Sequence, residues 1–264
     1  MPLWLYNLSP LYAALIMVVV IETLSLVGLI LVRRFLLPKL RYGKGTDEGI
    51  SGTVQAIGVF YGITVGLIAV GVWDTKSSAS DMVSREAASI ASLYRDLGGY
   101  PSPGKEELRS RLRDYTVFTI QQAWPAQREG VILDGGSEIL NTFQSQLFTF
   151  QPQTSAQMAI HQETLRAYNT LLDYRRLRVD AVNSGLSTVM WAVIWVGAVI
   201  SIGVAYLFNI EDPKMHAILI SLMAGFLAMV LFMIVINDKP FYGAVTIPPD
   251  AYQLVLDKVI AVTK

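Results

Sequence analysis

Few side chains in this sequence have the types and spacing that catalysis or metal binding requires. The 264-residue chain has no cysteine, which excludes disulfides, thiolate metal sites and cysteine nucleophiles. Its two histidines, His161 and His216, are too far apart in sequence to form a histidine-rich metal site by themselves. No Ser/His/Asp set or metal-ligand spacing accompanies them. We therefore expect a protein that is not an enzyme and that uses no metal or other cofactor.

The segment 99–105, of sequence GYPSPGK, comes closest to a nucleotide-binding pattern. A phosphate-binding loop needs successive backbone N–H groups, a lysine, and then a serine or threonine that holds magnesium. Here Glu106 stands at the serine or threonine position, and two prolines remove backbone donors. The segment therefore predicts a turn between two helices.

Glu22 is an intramembrane carboxylate candidate, because it lies near the middle of an otherwise apolar run, residues 11–32. An ionised side chain at that depth costs several kcal/mol unless it faces protein or water, finds a partner or takes up a proton. One interpretation is functional, with the carboxyl facing neighbouring helices. The alternative is a tilted or interfacial helix in which Glu22 hydrogen-bonds Thr23 or Ser25 of its own turn.

Three arginines, Arg175, Arg176 and Arg178, crowd the segment that precedes the third apolar run. Ion pairing at the surface or contact with lipid headgroups would account for them. The alternative is an anion-attracting vestibule, since arginines repeated around a symmetric oligomer would form rings of positive potential above a pore.

The elements that must position these residues follow from hydropathy. The chain is 53% hydrophobic and only 16% charged, and its 21 basic and 21 acidic residues cancel, which disfavours a nucleic acid partner. Four apolar runs approach or exceed the roughly 20 residues that span about 30 Å of hydrocarbon. They cover residues 11–32, 53–73, 186–208 and 217–236. This pattern predicts an all-α integral membrane protein with four transmembrane helices in two hairpins.

The polar segment between the hairpins has apolar positions spaced three and four apart, so we expect a helical extramembrane domain inserted there. Its first helix is expected over residues 82–97, and the second span should end at Trp73 and Asp74. The predicted organisation is a first transmembrane hairpin (1–73), the helical domain (74–185), a second transmembrane hairpin (186–237) and a C-terminal segment (238–264).

The second apolar run has two stripes at helical spacing. Gly58, Gly62 and Gly66 form a small-xxx-small stripe, which brings helix backbones close together in a bilayer.

The other stripe faces a different direction and contains one amide among apolar residues: Gln55, Val59, Ile63 and Val70. Its composition fits either a core seam between helices or a hydrophobic constriction that lines a pore.

Motifs along nearly the whole chain resemble the bestrophin-like family of bacterial membrane proteins. They are Gly58-Val59-Phe60-Tyr61-Gly62 through Val72-Trp73-Asp74, Arg85-Glu86-Ala87, Asp114-Tyr115, Ala123-Trp124-Pro125, Arg175-Arg176-Leu177-Arg178, and Asp238-Lys239-Pro240-Phe241-Tyr242-Gly243 with Pro248. A more distant likeness to true bestrophins rests on four helices around a helical domain and on the aromatic residues of the second span.

Bestrophins are pentameric anion channels, so the resemblance implies a homo-oligomeric ion channel with passive permeation and with the second span lining the pore. Its partners would be further copies of itself, with a pentamer favoured, the lipid bilayer and small inorganic ions such as chloride. The neck positions fall near Gln55, Val59 and Ile63, which are smaller and more polar than the bulky apolar residues of that family. No acidic cluster resembles a calcium clasp. The alternative is a non-conducting oligomeric scaffold or sensor that binds a protein partner.

The expected location is the cell membrane, with the bacterial inner membrane favoured. The positively charged residues after the first span would place that loop in the cytoplasm: Arg33, Arg34, Lys39, Arg41 and Lys44. The likeness to bestrophins implies the reverse and places the helical domain on the cytoplasmic side, which we slightly favour.

A boundary motif, Asp238, Pro240, Phe241 and Gly243, follows the fourth span. The residue before a proline is biased away from helical dihedrals, so the helix should end there, and Gly243 should permit a turn. We expect Phe241 and Tyr242 to pack against the helical domain, with simple interfacial anchoring as the alternative.

Overall fold

The computed structural model describes residues 3–40, 46–208 and 210–261, and in these ranges every regular element is a helix. Arg41 and Lys44 of the predicted charge bias, and Asn209 of the connection between the third and fourth spans, lie outside the described residues. The α-helices of those ranges are α1 (Pro10–Leu31), α2 (Thr46–Asp96), α3 (Gly104–Phe118), α4 (Trp124–Arg128), α5 (Gly135–Thr149), α6 (Ser155–Val182), α7 (Thr188–Ala205), α8 (Pro213–Asp238) and α9 (Asp250–Val255). Short 3-10 or π-helical segments occupy Leu3–Asn7, Val32–Leu36, Leu37–Lys39, Leu97–Gly99, Thr119–Ala123 and Leu256–Ile260.

The chain divides into two compact units. The membrane unit comprises Met1–Asp74 and Gly185–Asp238, and the helical unit comprises Thr75–Ser184 and Lys239–Lys264. Among the described residues, four helices are long and apolar enough to cross a membrane, namely α1, α2, α7 and α8. This confirms the all-α fold class with four apolar spans.

Within the membrane unit, α1 packs along α8, and α7 also contacts α8. Most large apolar side chains of these helices are exposed, because their helices are apolar on every face and are suited to a lipid environment. The buried seam between α1 and α8 includes Leu29 and Ile220, with Ala205 of α7 beside them.

Side chains near the helix ends hold the membrane unit together. Asp238, at the last residue of α8, is buried and accepts hydrogen bonds from the Tyr6 hydroxyl (2.7 Å) and the Leu186 N–H (2.6 Å). Ser187 caps α7 by accepting a hydrogen bond from the Met190 N–H. The carboxylate of Asp238 therefore ties the amino-terminal segment and the start of α7 to the end of α8.

At the opposite end of α8, Arg33 binds the connection between α7 and α8 through hydrogen bonds. Its guanidinium donates to the main-chain carbonyls of Ile210 (2.9 Å) and Glu211 (3.3 Å) and lies 3.1 Å from Nδ1 of buried His216. Because arginine only donates, that nitrogen is the acceptor, and Nε2 is the protonated nitrogen that faces the Ala205 carbonyl at 3.4 Å. Arg33, one of the positively charged residues after the first span, thus serves as a clamp on the backbone of the α7–α8 connection.

The end of the apolar run at Trp73 and Asp74 is not a helix end, since α2 continues as one helix from Thr46 to Asp96. The residues after Asp74 change in polarity, yet they contain no proline or glycine before Gly98. Hydropathy marks the end of the apolar run, whereas only a backbone-breaking residue marks the end of the helix.

The core of the helical unit is built from apolar positions of α2, α3, α5 and α6. Its fully buried members include Ile90, Leu93, Leu97, Leu112, Phe143, Leu147 and Leu171. Thr154 caps α6 by accepting a hydrogen bond from the Gln157 N–H. α3 ends at Phe118, before a π-helical turn leads into α4, and Pro125 lies in the first turn of α4.

The chain after α8 belongs to the helical unit and packs into its core. Phe241 is 1% exposed, and its ring meets the Trp124 ring edge-to-face at 5.7 Å. Gly243 adopts φ +88°, which favours glycine, and its N–H donates to the Arg128 carbonyl at 3.1 Å. The Pro240 carbonyl accepts from the Ile247 N–H. The boundary motif is therefore divided, with Asp238 in the membrane unit and its other three members in the helical unit.

Replacing Phe241 with alanine should loosen the C-terminal segment, because it leaves a cavity beside Trp124 worth about 3–5 kcal/mol of stability. We expect faster hydrogen exchange at residues 245–261 and a lower melting temperature. The control is Phe148→Ala, which truncates a phenylalanine that is 62% exposed in the same unit. Similar exchange in the two variants would contradict a packing role for Phe241.

Candidate functional site

The four residues predicted to line a pore share an uncovered face of α2. Gln55 is exposed, and the side chains of Val59, Ile63 and Val70 are 59%, 58% and 66% exposed. The structure therefore leaves most of this face uncovered by its own chain, and it does not form a core seam within one copy.

The glycine stripe of α2 is also open. A methyl group placed on Gly58, Gly62 or Gly66 would meet no other atom within 4 Å. These glycines line one side of an apolar groove of about 650 Å³, and α8 supplies residues on the other side, including Phe226 and Met233. The close helix contact that the stripe predicts is not made inside one chain.

Two other glycines mark the places where helices of the membrane unit touch. A methyl group on Gly197 of α7 would collide with the ring of Tyr61 of α2, whose hydroxyl donates to the Ile194 carbonyl at 3.0 Å. A methyl group on Gly28 of α1 would lie 2.6 Å from the Tyr206 hydroxyl. The sequence contains both glycines, but no pattern indicates which tyrosine from another helix fills the space.

Glu22 is half-buried and faces α8. Its Oε1 lies 3.0 Å from the point where a Cβ of Gly225 would stand, so the absence of a side chain there makes room for the carboxyl group. Among the residues that the structure describes, Glu22 has no hydrogen bond or ion pair. The Ser25 hydroxyl, a suggested partner, donates instead to the Ile21 carbonyl at 2.7 Å.

The structure does not bring the three predicted arginines to one surface. Arg178 is 2% exposed, in the core of the helical unit, and its guanidinium is therefore not available to ions at a surface. Arg175 is half-buried and donates to the Ser137 hydroxyl at 2.9 Å, whereas Arg176 is exposed.

Arg178 forms a buried ion pair with Glu86 of α2, a residue that is completely inaccessible. Arg178 Nε lies 2.6 Å from Glu86 Oε2, and Nη2 lies 3.3 Å from Oε1. The Tyr115 hydroxyl donates to the same Oε1 at 2.5 Å, and Arg178 Nη1 donates to Gln127 Oε1 at 3.1 Å. Both ionised groups therefore have the hydrogen bonds that a buried charge requires.

Aromatic rings enclose this pair. The Arg178 guanidinium lies over the Trp124 ring at 5.4 Å and the Tyr252 ring at 5.9 Å. Burial opposes the charged guanidinium, but the adjacent Glu86 carboxylate outweighs it and raises the pKa of Arg178 well above its usual value. Burial, with Glu86 beside it, raises the pKa of Tyr115 above its usual value, so the phenol remains a donor. The arrangement is suited to holding helices together and provides no nucleophile.

Sequence reasoning did not identify this cluster, although four of the motifs that carry the family resemblance supply it. Glu86, Tyr115, Trp124 and Arg178 each come from a different motif and meet at one place. Their separation in sequence hid the contact. Within the described ranges, no group of three or more His, Asp or Glu side chains is positioned to hold a metal ion.

Removing one member of the buried pair should be costly, because it leaves the other charge without compensation. We expect Arg178→Met to reduce the stability of the helical unit by about 3–5 kcal/mol. The double variant Glu86→Gln with Arg178→Met should recover part of that loss. Arg176→Met, at an exposed position, is the control, and equal effects in thermal unfolding of Arg176→Met and Arg178→Met would refute the pairing argument.

Two comparisons with known proteins bear on this architecture, and a third, with curated proteins, finds no match. The chain is similar in fold to a bacterial bestrophin homologue from Klebsiella pneumoniae, known from a crystal structure of a point mutant. The TM-score is 0.60 at 9% sequence identity, and the superposition covers 92% of this chain and 97% of the other. A likeness at this identity concerns the fold alone.

The family comparison extends over most of the chain. The sequence model of the Bestrophin-like domain matches residues 19–252, a range that begins within the first span and includes the other three spans and the helical unit up to Tyr252. The match confirms the resemblance found in the sequence motifs. The chain belongs to the family of proteins with a Bestrophin-like domain.

Proposed function

We propose that this chain assembles into a homo-oligomeric membrane ion channel in which α2 lines the pore and ions move passively. The observation that supports the proposal is the uncovered face of α2, which combines a glycine stripe with an apolar row. Among the four spans, α2 is the least buried within its own chain. A span of this kind gains most from contact with further helices, because small residues allow close backbone packing where lipid offers no competing gain.

The proposed neck is formed by Gln55, Val59 and Ile63, with Val70 two turns further along α2. Each copy in a ring would contribute one side chain at every level, which gives a ring of amides at Gln55 and apolar rings at Val59, Ile63 and Val70. An ion that passes such rings loses part of its hydration shell, and a narrow apolar ring also controls passage by excluding water. Membership of the family favours anions as the permeating species and a pentamer as the assembly.

Arg175 and Arg176 remain the candidates for anion attraction. Arg176 is exposed, and Arg175 is half-buried with one hydrogen bond to Ser137. Repeated around a symmetric ring, exposed guanidinium groups would raise the local anion concentration and would act more weakly at high salt. Arg178 has no such role in this proposal, since its charge is matched by Glu86.

The proposed organisation retains two transmembrane hairpins, α1 with α2 and α7 with α8, around the helical domain at residues 74–185. The first hairpin covers residues 1–73, the second covers 186–237, and the C-terminal segment covers 238–264, of which residues 239–264 belong to the helical unit. We place the protein in a bacterial inner membrane with the helical domain on the cytoplasmic side. The contact of Arg33 with the α7–α8 connection gives one of the opposing positive charges after α1 a structural role that does not depend on membrane side.

Chloride flux through proteoliposomes tests the channel. Wild-type protein should dissipate a chloride gradient faster than empty liposomes, and Ile63→Ala should increase the flux severalfold because it widens an apolar ring. Val199→Ala, at a position on α7 that is 69% exposed, is the matched control and should leave the flux unchanged. Absence of flux in wild-type vesicles would favour the alternative, a non-conducting scaffold or sensor.

Assembly provides an independent test. A Cβ at Gly62 meets no neighbour within one chain, so Gly62→Leu should leave the single chain folded and nevertheless disrupt the oligomer by blocking close contact between copies. Gly203→Leu introduces the same side chain on α7, where there is also room, and should preserve the assembly. Native mass measurements in detergent distinguish the variants; a monomeric wild type, or an oligomer unaffected by Gly62→Leu, would overturn the assembly proposal.

A further inference from the structure

Glu22 lies deep in the membrane unit. It is the thirteenth residue of α1 (Pro10–Leu31), which places it about 18 Å from the start and about 14 Å from the end of that helix at 1.5 Å per residue. A carboxylate at this depth is far from headgroups and bulk water. A polar or charged partner beside the carboxylate would therefore offset the cost of its charge.

The surroundings of Glu22 form a pocket of about 530 Å³ between α1 and α8. Gly225 provides the gap into which the carboxyl group extends, and Ser221 lies one turn earlier on α8. The remaining lining residues are apolar, and the ring of Phe226 among them is exposed. The others are Leu26, Ala217, Ile218 and Leu222. The pocket thus combines one carboxylate and one hydroxyl with a hydrophobic wall.

No cation from the lining of this pocket balances Glu22, because its described members include no lysine, arginine or histidine. Arg33, on the same helix, is occupied by the α7–α8 connection, and His216 of α8 is turned toward Arg33 and Ala205. The Ser221 hydroxyl, like Glu22, has no hydrogen bond to any described residue. The polar groups of the pocket are free to bind a ligand.

The number and type of these groups restrict the ligand. A calcium ion takes six to eight oxygen ligands, more than Glu22 and Ser221 supply, and a magnesium ion would have to keep most of its waters against an apolar wall. A primary ammonium group has three donors, and the two oxygens of Glu22 with the Ser221 hydroxyl provide three acceptors. An alkyl chain attached to that ammonium would pack against Ile218, Leu222 and Phe226, since apolar surface and the ring face both favour it.

We propose that the Glu22 pocket binds a primary alkylammonium ion, with the ammonium at Glu22 and Ser221 and the alkyl chain along α8. The ligand could be a free long-chain amine or the amine of an aminolipid, which share this chemistry. The inference is independent of ion conduction, because it concerns a pocket within a single chain.

Photolabelling of the full-length protein in phosphatidylcholine nanodiscs tests the proposal. The probe is a dodecylamine that carries an aryl diazirine, and the matched probe is the corresponding dodecanol. We expect the amine to label Ile218 and Leu222 at least about tenfold more than the alcohol does, as charge-assisted hydrogen bonds provide that discrimination. Val199, exposed on α7, reports background labelling from the lipid phase and should not distinguish the probes.

Glu22→Gln keeps the shape of the side chain and should abolish the preference for the amine, while Ser221→Ala should reduce it about threefold. Both variants must elute and melt like the wild type, and Gly225→Leu, which fills the pocket, provides a further loss of labelling if Glu22→Gln does not fold. Competition by phosphatidylethanolamine in the nanodisc would identify an aminolipid as the source, and competition by free dodecylamine alone would identify a free amine. Equal labelling by amine and alcohol, or an amine preference that survives in Glu22→Gln, overturns the proposal.

Discussion

The buried pair of Glu86 and Arg178 is the interaction on which the helical unit depends. The pair and the residues that contact it come from five helices: Glu86 from α2, Tyr115 from α3, Trp124 and Gln127 from α4, Arg178 from α6 and Tyr252 from α9. A buried charge tolerates little displacement of its partners, so the pair fixes the register of these helices in a way that apolar packing alone does not. Phe241 packs edge-to-face against the Trp124 ring and so joins the C-terminal segment to this cluster.

Much of the fold could be predicted because it rests on local properties. The four spans follow from runs of apolar residues, and α6 begins where Thr154 provides a capping side chain. The continuation of α2 was missed for a related reason. Solvent preference changes at Asp74, but the helix ends only where Gly98 and Gly99 weaken it, and hydropathy reports the first property rather than the second.

The candidate sites were harder to predict, since they depend on which residues meet across the fold. Gly62 and Gly197 look alike in sequence, yet only Gly197 is covered by an aromatic ring of another helix of the same chain. Arg176 and Arg178 are two positions apart, on different faces of α6, and one is exposed while the other is buried. Helical periodicity separates such faces, but it does not identify the carboxylate of Glu86 on α2 as the partner of Arg178.

The clamp of Arg33 on the α7–α8 connection has a consequence for how this protein tolerates change. Arg33 donates hydrogen bonds to the main-chain carbonyls of Ile210 and Glu211, and every amino acid has the same main-chain carbonyl. The side chains of Ile210 and Glu211 are therefore free to vary as long as the backbone keeps its path. One arginine just after α1 thus allows these two positions to diversify in sequence, for example toward new partners at the membrane surface, without loosening the connection to α8.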